Sequence, residues 1–274
     1  MRVGRIAFLA AFMLGWAGPA KAQVAVDLEL ALGVDVSGSV DAGEAELQRN
    51  GYVKALTDPD VMKAVRSGYL GRIAALFFEW ADEDNQRVTV GWTLLHDAAS
   101  IRGFARAIDR APRVRGRFTS ISGAIDFALP LFGKSGFRGT RRVIDLSGDG
   151  PNNVGRLVTL ARDNAVARGI VINGLPIVSD RPDPFGMPMA NLDLYYRNCV
   201  IGGPGSFLVV AEDFRSFAIA IRRKLILEIA GLTVFAPVPG RQRGGASLQP
   251  AQDRWVPPCN EGERRMQQRI RGSF

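Results

Sequence analysis

Asp27-Leu28-Glu29-Leu30-Ala31-Leu32-Gly33-Val34-Asp35-Val36-Ser37-Gly38-Ser39 is the stretch on which the fold turns. Leu28, Leu30, Leu32 and Val34 fall on one face of an extended chain, so residues 27–36 read as a buried strand. That strand runs straight into Asp35-x-Ser37-x-Ser39. Residues two apart in extended chain point the same way, so these three oxygen side chains can face one point. Such a trio suits a hard divalent cation, Mg²⁺ or Mn²⁺. The same residue types also cluster in ordinary turns, so the pentapeptide alone leaves a metal loop and a plain turn both open.

Outward from this strand, helix and strand signals alternate. Asp41 with Glu44 has the form of a capping box and opens a helix through Leu56. Pro59 suits the first position of a second helix. Residues 72–80 and 87–93 read as strands close enough for a hairpin-like pair, with Trp80 and Trp92 as core side chains. Helices are expected over 100–109, 120–131, 154–168 and 212–230, and strands over 142–147, 170–177 and 206–210. Residues 179–189, with Pro182, Pro184 and Pro188, read as a loop insertion. The alternation predicts a three-layer, Rossmann-like, doubly wound α/β fold: a mainly parallel sheet with helices on both faces.

Two more segments can join the first loop. Arg117-Phe118-Thr119-Ser120 offers the Thr119 hydroxyl at a loop-to-helix junction, where capping by Thr119 or Ser120 is the ordinary role. Ser147-Gly148-Asp149-Gly150 follows a strand and places Asp149 past its carboxyl end. Ligands of open parallel sheets bind there, at the point where strand order reverses. If the first and fourth strands are neighbours, Asp35 and Asp149 meet at that crevice.

Taken together, Asp35-x-Ser37-x-Ser39, Thr119 and Asp149 resemble the metal-ion-dependent adhesion site (MIDAS) of von Willebrand factor A domains. Finer features resemble a bacterial branch of exported A-type domains known as a domain of unknown function. They are Glu79-Trp80, the run from Arg141 to Asn153, Asn173-Gly174-Leu175-Pro176, and the run from Tyr195 to Gly205. The resemblance spans about residues 27–231. It implies that Ser37 and Ser39 touch the metal directly, and Thr119 directly or through water. Asp35 and Asp149 would act mainly through water and by orienting the hydroxyls. One coordination position then stays open for an Asp or Glu of a protein partner. Asp145 departs from the family pattern, standing where an apolar strand residue is usual. About 13 Å from Asp149 along extended chain, it is expected to be a buried carboxylate paired with Arg or backbone N–H groups.

At the N-terminus, Arg2 and Arg5 precede an apolar run over 6–17, and Ala20-Lys21-Ala22 supplies a small-x-small cleavage pattern. Residues 1–22 therefore read as an export signal cut near Ala22, sending the chain to the periplasm or outside the cell. Residues 23–231 form the A-type domain, and 232–274 a partly disordered Pro/Arg-rich extension with a short helix over 261–271. No later segment is long and apolar enough to span a membrane.

Composition is that of an ordinary globular protein, with 47% hydrophobic and 23% charged residues. The formal charge is +8, of which the leader supplies Arg2, Arg5 and Lys21, leaving +5. No stripe of Lys and Arg interleaves with aromatics, so an acidic protein partner is favoured over nucleic acid. Cys199 and Cys259 form one disulfide if the compartment is oxidising, and are otherwise two thiols. With one histidine, His96, they cannot supply the four ligands of a structural zinc site.

Three functions fit these observations. One is a metal-dependent binding module with no catalytic residues. A metal-dependent hydrolase that activates water is the alternative, and a structural A domain with an unused site is the third. Nothing places a nucleophile beside His96, and Gly202-Gly203-Pro204-Gly205 lacks the Lys and the helix of a phosphate loop. Both absences weigh against the hydrolase.

Overall fold

β1 (Val24–Asp35) is buried over most of its length because it lies at the centre of a sheet. The computed structural model describes residues 22–178, 189–231 and 254–272; the loop insertion expected over 179–189 falls almost wholly outside these, as does most of the proline-rich part of the extension. After β1 come α1 (Ala42–Leu56), α2 (Pro59–Ser67), β2 (Ile73–Trp80), β3 (Gln86–Leu95) and α3 (Ala98–Arg110). Then follow α4 (Ile121–Phe132), β4 (Phe137–Gly148), α5 (Val158–Ala167) and β5 (Val171–Pro176). A short α6 (Leu192–Tyr195) runs into one π-helical turn (Tyr196–Val200), and α7 (Phe217–Ala230) and α8 (Glu261–Gly272) end the series.

Sheet order is β3-β2-β1-β4-β5. β1 pairs in parallel with β2 on one side and β4 on the other, β4 pairs in parallel with β5, and only β3 is antiparallel. Helices cover both faces. Leu28, Leu30, Leu32 and Val34 pack with Tyr52, Val61, Phe104, Phe217 and Ile221 from α1, α2, α3 and α7. Ala31, Phe78, Trp80, Ile144 and Leu146 pack on the opposite face with Ile121, Ile125, Val158 and Ala161 from α4 and α5. The alternation of β1 is thus the division between two cores.

Local signals hold where they depend on local chemistry. Asp41 and Glu44 form a reciprocal capping box on α1, and Pro59 opens α2. Several elements differ from expectation: β4 starts at Phe137 rather than 142, and α6 with its π-helical turn has no expected counterpart. α5 starts at Val158 rather than 154, because the Val154 and Arg156 carbonyls accept hydrogen bonds from the Asn152 side chain instead of starting a helix. α7 starts at Phe217 because Asp213 and Ser216 close a turn in front of it. Residues 206–210 touch β5 through one isolated bridge, Leu208 to Gly174, rather than a continuous strand, and Asn173 Oδ1 takes the Phe207 N–H (2.9 Å).

Asp145 on β4 is fully buried, and its partner is neither Arg nor backbone N–H as expected, but Lys224 of α7. Lys224 Nζ lies 2.6 Å from Asp145 Oδ1 and 3.2 Å from Glu228 Oε1, with all three side chains out of contact with water. Asn173 of β5 donates to the same Glu228 oxygen at 2.7 Å. A charged cluster therefore pins α7 to the sheet. The position of Asp145 on the strand dictates that it is buried, but only helix packing brings Lys224 to it.

Candidate metal centre

Asp35 ends β1, and Val34 stands opposite Ser147 on β4, so both chain exits leave the sheet side by side. The first crossover from β1 leads to β2 on one side, and β4 lies on the other. This is the reversal point at which α/β sheets open a crevice. Asp35 Oδ1 accepts the Ser37 N–H (2.7 Å), which bends the chain and aims the following hydroxyls back over the strand end. Ser37 Oγ and Ser39 Oγ are 3.1 Å apart, and the Ser39 hydroxyl donates to Asp149 Oδ1 at 2.7 Å.

Thr119 joins from the third loop. Its N–H donates to Asn153 Oδ1 (2.9 Å), and its carbonyl accepts the Asn153 N–H (2.8 Å). Helix capping of α4 falls to Ser120, whose hydroxyl accepts the Gly123 N–H. A Cβ built on Gly150 would lie 3.8 Å from Thr119 Oγ1, which puts that hydroxyl beside the Asp149 loop. The structure thus gathers Asp35, Ser37, Ser39, Thr119 and Asp149 at one end of the sheet. His96 is half exposed and pairs with Asp97 (3.5 Å), away from this group.

The donor set is two carboxylates and three hydroxyls, all oxygen, which is the chemistry of a hard divalent cation. Among the described residues no three His, Cys, Asp or Glu side chains come together as a metal group, so any cation here relies on the hydroxyls. Asp35 is fully buried and its Oδ2 has no hydrogen-bond partner. Burial, and then the negative charge of Asp149, raise the Asp35 carboxyl well above the usual carboxylate range. A buried oxygen without a partner, next to a second carboxylate, is a costly arrangement that a bound cation relieves.

One contributor was not legible in the sequence. The Tyr196 hydroxyl is buried without a partner, and the charges of Asp35 and Asp149 add to burial in raising it. A Cβ on Gly148 would fall 2.8 Å from both Tyr196 Oη and Asp35 Oδ2. Tyr196 lies in the stretch from Tyr195 to Gly205, but no spacing rule carries a side chain from there to the end of β1. Gly148→Ala is expected to displace the Asp35 carboxylate or the Tyr196 ring and to cost about 1–3 kcal/mol by overpacking. Urea unfolding checks this, and a midpoint equal to wild type would mean that the pocket is looser than its geometry.

Comparison with known proteins places this architecture. The family described as a protein of unknown function (DUF1194) matches residues 25–233. The chain belongs to this family. No curated protein matches it by sequence. Among solved structures it is similar to the pilus adhesin SpaC from Lactobacillus rhamnosus GG, with a TM-score of 0.56 and 12% identity over 75% of this chain and 31% of that one. It is also similar to proximal thread matrix protein 1 of the mussel byssus, with a TM-score of 0.52 and 18% identity over 76% and 47% of the two chains. A von Willebrand factor type A protein from Catenulispora acidiphila gives 0.51 and 13%, over 75% and 43%. The byssus protein has also been solved with a zinc-occupied MIDAS motif. In each case less than half of the solved chain is spanned. These likenesses establish a von Willebrand A-type fold for this DUF1194 member, and the family match stops short of α8.

Proposed function

We propose that this protein is an exported binding module that holds one divalent cation, Mg²⁺ or Mn²⁺, between Asp35, Ser37, Ser39, Thr119 and Asp149, and captures a carboxylate of a protein partner. The observation that carries this is the buried, unpartnered Asp35 Oδ2 beside Asp149, behind a pair of hydroxyls. A cation bound there supplies positive charge, with a coordination position left for an Asp or Glu side chain. The Ser37, Ser39 and Thr119 hydroxyls are the neutral donors. Asp35 holds the Ser37 loop through its N–H, and Asp149 orients the Ser39 hydroxyl. Few direct carboxylates leave the cation electrophilic, which favours binding an anionic side chain.

The binding reading is preferred to a hydrolase because His96, the one histidine of the chain, is half exposed and pairs with Asp97 rather than facing the site. Similarity to an adhesin and to a byssus matrix protein points the same way. Residues 1–22 are proposed as a leader removed near Ala22, 23–231 as the binding domain and 232–274 as an extension. No helix among the described residues is long and apolar enough to cross a membrane.

Thermal unfolding of the chain from Gln23 onward tests the site, in EDTA and then with Mg²⁺ or Mn²⁺. At ten times the dissociation constant, metal stabilises by about 1.4 kcal/mol. The melting temperature should rise by about 3–6 °C for a domain of this size. Asp35→Ala should fold and lose the rise. A folded wild-type protein indifferent to millimolar metal would leave the structural A domain as the better account.

A further inference from the structure

The C-terminal segment lies outside the family match, yet the fold brings it back to the metal-site loops. Cys259 is bonded to Cys199, sixty residues earlier in the sequence. Just before it, the Arg254 guanidinium grips the Asp193 carboxylate through two hydrogen bonds of 2.7 and 2.9 Å. α8 starts immediately after the cystine. Gly262 is buried there, and a Cβ at that position would lie 1.9 Å from the Asn152 carbonyl oxygen. One residue on, Glu263 Oε1 accepts a hydrogen bond of 2.8 Å from Asn152 Nδ2.

Asn152 is itself fully buried and acts as a hub. Its Oδ1 accepts the Ser122 N–H (2.9 Å), its amide also reaches the Val154 and Arg156 carbonyls, and its own N–H donates to Tyr195 Oη. The next residue, Asn153, engages both the N–H and the carbonyl of Thr119. Three residues before Asn152 stands Asp149, which accepts from Ser39. One irregular loop therefore carries Asp149, holds Thr119 by its backbone, and is itself held from outside by α8.

We propose that the C-terminal segment is a working part of the site: α8, tethered by the cystine, sets the 149–154 loop and so positions Thr119 and Asp149. Glu263 and Gly262 are then positioning residues. A twelve-residue helix rich in Arg and Gln is not stable alone in water, so α8 owes its order to the tether and to this docking. An irregular loop has no ladder to fix it, and its ordering cost falls on ligand binding unless something else meets it. Docking of α8 meets that cost before a ligand arrives. The metal readout rests on the function proposed above; the loop readout does not.

The test uses the full chain from Gln23 and four proteins: wild type, Glu263→Ala, Glu263→Gln and Gly262→Ala. Amide hydrogen exchange at Thr119, Ser122, Asn152 and Asn153 reports the loop, and calorimetry with Mn²⁺ alone reports the site. Glu263→Ala is expected to speed exchange at these four amides by about tenfold or more, the worth of one hydrogen bond to a charged group, and Gly262→Ala to do so by pushing α8 off the Asn152 carbonyl. They should also weaken Mn²⁺ binding several-fold, at temperatures where the protein stays folded. Glu263→Gln keeps an acceptor for Asn152 and should restore both readouts. Unchanged exchange in both alanine variants overturns the proposal, and so does faster exchange with unaltered Mn²⁺ affinity. A wild type that takes no Mn²⁺ refutes the metal function and the positioning of a metal site with it. Exchange would then still show whether α8 orders the loop.

Discussion

Lys224→Met is expected to lower the unfolding free energy by about 3–5 kcal/mol at neutral pH, the usual cost of removing one partner from a buried ion pair. Met keeps most of the stem volume, so the loss reports charge rather than packing. Without the ammonium, Asp145 and Glu228 face each other with no contact with water. A domain of this kind holds about 5–15 kcal/mol in total, so the urea midpoint should fall by a large fraction. Lys224→Met/Asp145→Asn should recover part of the loss by removing one of the two negative charges. If Lys224→Met unfolds at the wild-type midpoint, the cluster is not the clamp described above.

The pH dependence of the cluster follows from its charges. Burial first, and then the charge of Glu228, raise the Asp145 carboxyl well above its ordinary range, against the lowering effect of Lys224. A raised carboxyl binds its proton more tightly in the folded state than in the unfolded state. Its contribution to stability is therefore present at low pH and is lost as pH climbs from the ordinary carboxylate range through the folded value. Asp145→Asn removes that slope.

Loss of the Cys199–Cys259 bond should have a comparable effect. The two residues are sixty apart, and closing a loop of that length restricts the unfolded chain by about 4 kcal/mol in the chain-entropy account. Cys199→Ala/Cys259→Ala should show that fall in urea unfolding, and wild type unfolded in the presence of a dithiol should match it. The fall should exceed that of Glu263→Ala, because the bond acts on the whole 199–259 loop while Glu263 acts on Asn152 alone. A midpoint shift worth less than about 1 kcal/mol would mean that the unfolded chain gains little freedom from reduction. Ala is used because Cys199 is wholly buried and tolerates a small apolar side chain better than a hydroxyl.

Much of the fold was legible because its signals are local. The alternation in β1 separates the two cores, and Asp41, Glu44 and Pro59 mark helix starts through contacts within one turn of chain. Asp35, Ser37, Ser39, Thr119 and Asp149 stand out through strand ends, loop spacing and the family resemblance together, and the structure brings their loops to one end of the sheet. Legibility failed where a local tendency met a distant partner. The sequence predicts a helix from residue 154, but Asn152 claims the Val154 and Arg156 carbonyls and α5 starts at Val158. Residues 206–210 have strand composition, yet the Asn173 side chain takes the Phe207 N–H and Leu208 meets Gly174 only in an isolated bridge.

By itself, then, the sequence determined the order of the main helices and strands, the faces that β1 turns to the two cores, and the residue types at the strand ends. Those properties depend on neighbours two to four residues away, which periodicity records. Only the tertiary structure decided that Asp145 meets Lys224, that the Tyr196 hydroxyl stands beside Asp35, and that Glu263 holds Asn152. Those pairings join residues brought together by packing. Burial can be read from a pattern, but a partner is chosen by the geometry that burial produces.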